Sequence, residues 1–154
     1  MPNVTPTPLI IDPPQPYEGI LFGIDFGLRR IGIAVGQTLT QHANPLKIIL
    51  AQKGEPDWGQ FEKLIKEWQP LALIIGIPLN MDGTTQPMTY KARRFAMQLK
   101  NRYQLPVHGM DERLTSREVR QNLFEQGGYR AIQKHDIDAL AAKIILEEWM
   151  KIHV

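Results

Sequence analysis

Three acidic residues stand where acids are out of place. Asp25 closes the run Phe22-Gly-Ile-Asp-Phe-Gly, which is otherwise apolar or glycine. An unpaired carboxylate in a sheet centre is expensive. A turn aspartate just past the strand end is the plainer explanation, but Phe26 carries the apolar pattern past it and Gly27 already supplies the turn. Glu112 follows Asp111 where a short apolar segment gives out, and ligands gather outside the carboxyl ends of strands in open α/β sheets. The competing explanation is that both acids answer the positive end of the next helix. Asp138 shares a helix face with Ala141, Ala142 and Ile145, a face that otherwise packs. The small alanines let that helix approach a sheet closely, so Asp138 is expected to reach the strand ends. Two other acids have adequate structural explanations. Glu118 completes a capping box from Thr115, and Asp136 answers its own helix dipole. Asp111 remains a neighbour without an assigned role.

Three converging carboxylates form an all-oxygen donor set, which suits Mg2+ or Mn2+. The matching chemistry is hydrolysis of a phosphodiester, the cation activating water and stabilising the leaving oxygen. Asp25, Glu112 and Asp138 are therefore the candidate catalytic and metal-binding residues. Arg113, beside Glu112, has the guanidinium fork that holds a phosphate, and Arg30 offers the same from the first turn. Either arginine can instead pair with the site's own acids when substrate is absent. Asn80 lies in a polar loop with Asp82 and Gly83, a tight turn or a substrate-contacting segment. Gly32, Ala34 and Gly36 leave one side of a strand bare, for substrate or for a packed helix. His42, His108, His135 and His153 show no zinc spacing and are expected to be structural or superficial.

The elements that must position these groups follow from the hydrophobic period. Strands are expected at Gly19–Asp25 and Ile31–Val35, joined by the turn Gly27-Leu-Arg-Arg30 into an antiparallel hairpin, with a third near Pro45–Leu50. Trp58, Phe61, Ile65 and Trp68 recur at helical spacing over 57–68, and Pro70 ends that helix. Leu71–Ile75 reads as a buried parallel strand. A second helix, capped by Thr84 or Thr85 with Pro87 in its first turn, carries Met88, Ala92, Phe95, Leu99 and Tyr103. Pro106–Met110 is the fifth strand. A third helix starts at Thr115 and breaks at Gly127-Gly128, and the last runs from about Asp136. The order βββαβαβαα gives an α/β fold: a five-stranded mixed sheet, antiparallel meander plus parallel strands, with helices on both faces.

The length of 154 residues fits one domain, here 19–154, preceded by an arm over 1–18 that holds six of the twelve prolines and is expected to be extended or disordered. No cysteine is present, which removes disulfides, zinc–thiolate sites and a thiol nucleophile. The first cation is Arg29 and no apolar run is long enough to span a bilayer, so a cytoplasmic protein with no membrane partner is expected. The net charge of +2 is mild, but residues 91–120 hold eight Lys or Arg against three acids. A solvated helix face explains that alone; a surface tracking phosphates is the sharper alternative.

Four segments together resemble the YqgF family: Asp25-Phe-Gly-Leu-Arg-Arg-Ile-Gly-Ile-Ala-Val-Gly, Gly76-Ile-Pro-Leu-Asn-Met-Asp-Gly-Thr, Asp111-Glu-Arg-Leu-Thr-Ser, and Asp138-Ala-Leu-Ala-Ala-Lys-Ile-Ile-Leu. Phe124-Glu-Gln-Gly-Gly-Tyr-Arg adds to the likeness. The resemblance runs from about Gly19 to Trp149; the proline arm lies outside it. It implies a ribonuclease H-like fold, Mg2+ or Mn2+, and an acidic triad on Asp25, Glu112 and Asp138, the residues already singled out. It also implies a nuclease maturing the 5′ end of pre-16S rRNA, with pre-rRNA and pre-ribosomal particles as partners. The alternative is a resolvase of four-way DNA junctions, which needs two active sites and hence a homodimer where a monomer otherwise suffices. A non-catalytic nucleic-acid-binding factor on the same fold is a third reading, against which the retained acids argue. An actin-like ATPase shares an Asp-x-Gly hairpin but needs two lobes, for which the chain has no room.

Overall fold

The computed structural model describes residues 11–113 and 134–154, with the backbone alone for 134–138. The elements follow in the order β1 (Ile20–Asp25), β2 (Arg30–Gln37), β3 (His42–Gln52), β4 (Glu55–Pro56), α1 (Trp58–Trp68), β5 (Ala72–Ile77), α2 (Pro87–Tyr103), β6 (Val107–Asp111) and α3 (Lys134–His153). The helix expected from Thr115, with its capping box through Glu118 and its break at Gly127, lies outside the described residues. Among the described residues, no helix is long and apolar enough to cross a membrane.

One sheet orders the strands β4-β3-β2-β1-β5-β6. The four residues between β1 and β2 allow only an antiparallel return, whereas β5 and β6 are reached through helices and lie parallel to β1. The expected meander and parallel strands are both present, with six strands among the described residues instead of five. The addition is β4, two residues long, which folds back on β3 through the turn at Lys53-Gly54. Pro56 confines it to the sheet edge. β3 also starts earlier than expected, at His42. Its register with β2 shifts between Ile33 and Ala34, which pair with Lys47 and Pro45 and leave Leu46 as the extra residue of a bulge. The bulge lets a strand run through a proline that cannot donate to the ladder.

Alternation along the strands sorts the core onto two faces. Phe22, Ile24, Ile31, Ile33, Leu73 and Ile75 face α1 and α2, meeting Phe61, Leu64, Phe95 and Leu99. Leu21, Ala72, Ile74 and Met110 face α3, meeting Ile145, Leu146, Trp149 and Met150. α1 starts at Asp57, whose Oδ1 accepts from the Gly59 amide at 3.1 Å, and stops at Gln69 in a left-handed conformation before Pro70. α2 is capped by Gln86 and not by Thr84 or Thr85. Pro87 occupies the first helical position, which sets the cap one residue before it, and the Gln86 amide donates to Thr89 Oγ1.

Residues 11–18 of the arm lie against β6. The Asp12 amide donates to the Val107 carbonyl at 3.0 Å, and the Val107 amide returns a bond to Asp12 Oδ2 at 2.9 Å. Lys100 Nζ donates to Asp12 Oδ1 at 2.5 Å. His108 Nδ1 lies 3.0 Å from the Asp12 carbonyl, which only accepts, so Nδ1 carries the proton and the neutral ring's Nε2 accepts from the Tyr17 hydroxyl at 2.6 Å. Burial lowers the His108 pKa, which fits a neutral ring. For Asp12, burial alone would raise the pKa; the Lys100 and Val107 hydrogen bonds outweigh it and leave the carboxylate lowered. The expected structural role of His108 is thereby explained.

Candidate active site

β1, β5 and β6 run in one direction and end together at Asp25, Ile77 and Asp111. The register sets Asp25 beside the level of Gly76, and Gly76 beside Met110; the Glu112 amide then donates to the Ile77 carbonyl at 3.1 Å. Asp25 and Gly76 belong to the α3 side, since Ile24 and Ile75 point to the other. Gly76 has no side chain between the two acids. A Cβ there would come 3.3 Å from Glu112 Cγ and Cδ and 2.6 Å from Ile145 Cδ1. The Glu112 carboxyl therefore lies across bare backbone, hydrogen-bonded with Asp25. Burial raises its pKa most; the bond with Asp25 works against this, and the nearby charge of Asp111 adds to it. Two half-buried carboxyls in contact favour sharing a proton, and a cation relieves the same repulsion.

α3 brings the third acid toward this end. Its Ala142 and Leu146 cross β1 at Gly23, and Leu146 and Met150 cross β2 at Gly36, so the helix runs against the direction of β1. Asp138, one turn before Ala142, thus has its backbone toward the carboxyl end of β1. Its side chain lies outside the described residues. Among the described residues no three metal-ligating side chains cluster. The bare face of β2 serves this helix: a Cβ on Gly36 would meet Leu146 Cδ2 at 2.8 Å and Met150 Cε at 3.1 Å.

The remaining candidates divide. Arg113 closes on Asp111: Nε lies 3.0 Å from both carboxylate oxygens and Nη2 is 2.5 Å from Oδ2. This fork holds Arg113 in place, and Nη1 reaches the Met81 carbonyl at 3.3 Å, tying the loop after β5 to the end of β6. Asp111 thereby gains the role the sequence did not assign. Asn80 Nδ2 donates to Thr84 Oγ1 at 2.9 Å and to the Thr85 carbonyl at 3.2 Å, so its amide closes its own loop. Arg30 is half-buried and shares the side of β2 that holds Gly32, the cross-strand partner of Asp25. Gly23 and Gly76 escaped the sequence reading; glycine inside a fully apolar strand was the available signal.

An open mixed sheet covered on both faces, with acids converging at the carboxyl ends of its parallel strands, defines a ribonuclease H-like domain. The chain belongs to the RuvX family, whose profile, described as Holliday junction resolvase, matches residues 19–152. It is similar to the "Putative pre-16S rRNA nuclease" of Escherichia coli O157:H7 (strain EC4115 / EHEC), 53% identical over 134 residues, 87% of this chain and 97% of the relative. The relative of that name from Klebsiella pneumoniae subsp. pneumoniae is 50% identical over the same shares. Among solved structures, T. thermophilus RuvC in complex with a Holliday junction substrate is similar in fold, with a TM-score of 0.55 at 16% identity over 88% of this chain and 98% of that one. The yeast mitochondrial Holliday junction resolvase Ydc2 gives a TM-score of 0.51 at 11% identity, covering 90% of this chain and 80% of that one.

Proposed function

We propose that the chain is a divalent-metal-dependent endonuclease that hydrolyses phosphodiester bonds and matures the 5′ end of pre-16S rRNA in the cytoplasm, with pre-ribosomal particles as partners. The observation that carries the chemistry is the Asp25–Glu112 contact across bare Gly76 at the carboxyl ends of the parallel strands. The substrate rests on the names of the relatives about half identical to this chain.

The donor set fits Mg2+ or Mn2+: hard oxygen ligands on rigid elements, with a hydrogen bond between acids that a cation replaces. Asp25, Glu112 and Asp138 would hold the ion. When bound, it supplies an activated water and stabilises the leaving oxygen. The protein's own part is positioning. Gly76 keeps side chains out of the space between the acids, and Gly23 lets α3 approach. The Asp111–Arg113 fork holds the loop at 81–83 so that Asn80 and its neighbours border the substrate. Arg30, on the Asp25 side of β2, meets the phosphate next to the cut.

Resolution of four-way DNA junctions is the second reading, favoured by the description of the family profile. It requires two sites and hence a homodimer, whereas the RNA reading requires a monomer only. Cleavage of a pre-16S 5′-leader RNA and of a four-way DNA junction, each with and without Mn2+, separates them. Asp25→Asn should abolish cutting while the fold persists; undiminished cutting would sink the triad. Cutting of the junction alone would move the assignment to the resolvase.

A further inference from the structure

The turn joining β3 to β4 has an unexpected occupant. Lys53 and Gly54 both have positive φ, 51° and 84°, between the paired residues Gln52 and Glu55. This is the two-residue hairpin turn that favours Asn, Asp or Gly at its first position. Lysine does nothing for such a turn, so its presence there calls for another reason. The turn is also firmly seated. The Gly54 amide donates to the Leu28 carbonyl at 2.9 Å and the Ala51 amide to the Arg29 carbonyl at 2.8 Å. A Cβ on Gly54 would come 3.0 Å from Phe26 Cζ. Lys53 is thus held rigidly beside the loop that follows Asp25.

It borders a groove of about 410 Å³ lined by Phe26, Leu28, Lys53, Lys91, Arg94 and Gln98. Lys91 and Arg94 are three residues apart on α2 and so project together. All three cations are exposed and, among the described residues, none makes a hydrogen bond or ion pair. The acid in the lining, Glu55, is occupied: Trp58 Nε1 donates to it at 3.1 Å and Gln98 Nε2 at 3.4 Å. Arg29 continues the positive strip on the far side of the turn, in a second depression that Lys53 also lines. The floor is apolar and anchored, Phe26 stacking on Phe95 with ring centroids 4.8 Å apart. Because Phe26 follows Asp25 and faces the opposite side of β1, the groove begins where the candidate active site ends.

We propose that this groove holds the backbone of single-stranded RNA flanking the scissile bond, with Lys53, Lys91 and Arg94 on successive phosphates and unstacked bases over Phe26 and Leu28. This rests on the nuclease reading above. Spaced cations around an apolar floor match a single strand, whose bases are free to leave the stack.

The test separates fold from binding because Lys53→Asn moves them in opposite directions. Asn suits the turn, so the melting temperature should hold or rise while affinity falls. Binding is followed by anisotropy of a fluorescein-labelled oligouridylate of about 12 nucleotides. Full-length Asp25→Asn protein is used, with and without Lys53→Asn, Lys91→Gln and Arg94→Gln together. The triple change should weaken binding about tenfold and flatten the salt dependence by about two units of log K per log salt, at roughly 0.7 per phosphate. With Asp25 restored, KM should rise with kcat retained. Unchanged affinity and salt slope in a natively melting triple variant would overturn the proposal, as would equal losses on a duplex of the same length. A lower melting temperature for Lys53→Asn would show that lysine serves the turn, which also overturns it. If instead the wild-type protein cuts no RNA with Mn2+ present, the nuclease reading fails while the binding result stands by itself.

Discussion

Replacing Gly23 by alanine tests how closely α3 must ride on the sheet. A Cβ at this position would press on the Ala142 backbone carbonyl oxygen and approach Leu146 Cβ to 2.7 Å. Unstrained carbon contacts lie at roughly 3.5–4.0 Å, so the helix must lift by about 1 Å. No rotamer change relieves a clash with backbone. Overpacking typically costs about 1–3 kcal/mol, and this site belongs near the top of that range because the whole helix must move. For a domain of about 150 residues, 3 kcal/mol lowers the melting temperature by roughly 6–12 °C. Urea unfolding should show a lower midpoint with an unchanged slope. Cleavage assayed well below the transition should fall by about 100-fold, since in the proposed triad lifting α3 by about 1 Å displaces Asp138 from the other acids. Adding Ala142→Gly should not rescue either property, because the obstructing atom is a carbonyl oxygen. A melting temperature within about 1 °C of wild type would refute the close packing of α3 on β1 and, with it, the placement of Asp138.

Glu112→Gln should melt near the wild-type temperature, because its amide replaces the proton shared with Asp25, while cleavage falls by about 100-fold. Mn2+ should raise the melting temperature of the wild type in a concentration-dependent way and leave Glu112→Gln unmoved, as differential scanning fluorimetry would show. Stability should fall with acid in two steps. The pKa of His108 is depressed in the fold, so its contribution is complete above about pH 6.5 and is lost as pH drops through the folded value; that of Asp12, also lowered, is lost below about pH 3.8. His108→Asn keeps a donor for the Asp12 carbonyl and should flatten the first step in urea titrations at successive pH values. Gln104→Gly should stabilise by about 1 kcal/mol, since Gln104 ends α2 at φ 57°, a conformation that glycine adopts without strain.

Most of the fold was legible because hydrophobic period and breakers agree. Pro70 and Pro87 bracket helices, and the short Phe26–Arg29 connection dictates a hairpin. What escaped depends on contacts between distant segments. β4 exists only because Lys53-Gly54 tolerates positive φ, and its lysine hides the usual turn signal. The docking of the arm depends on Asp12 meeting Val107, some 95 residues away in sequence, which no local pattern reports. The site divides similarly. Asp25 and Glu112 were visible because an acid ending an apolar run is anomalous. Gly76 was not, because its role is to be absent from a space that two other strands define. For Arg113 the sequence left two partners open, a phosphate or an acid of the site, and the fork on Asp111 is the second of these.

The latch of Asp12 on β6 bears on how copies of this chain can associate. A sheet offers two rims for strand-to-strand growth. One is β4, only two residues long and interrupted by Pro56; the other is β6, whose Val107 amide and carbonyl are both taken by Asp12. The two are blunted unequally: the arm occupies β6 at Val107, whereas β4 covers β3 only at Ala51 and Gln52, and among the described residues no strand pairs with the outer edge of β3 from His42 to Leu50. A symmetric pair joined strand to strand would therefore use the β3 rim, since Asp12 already takes the outward groups of β6 at Val107.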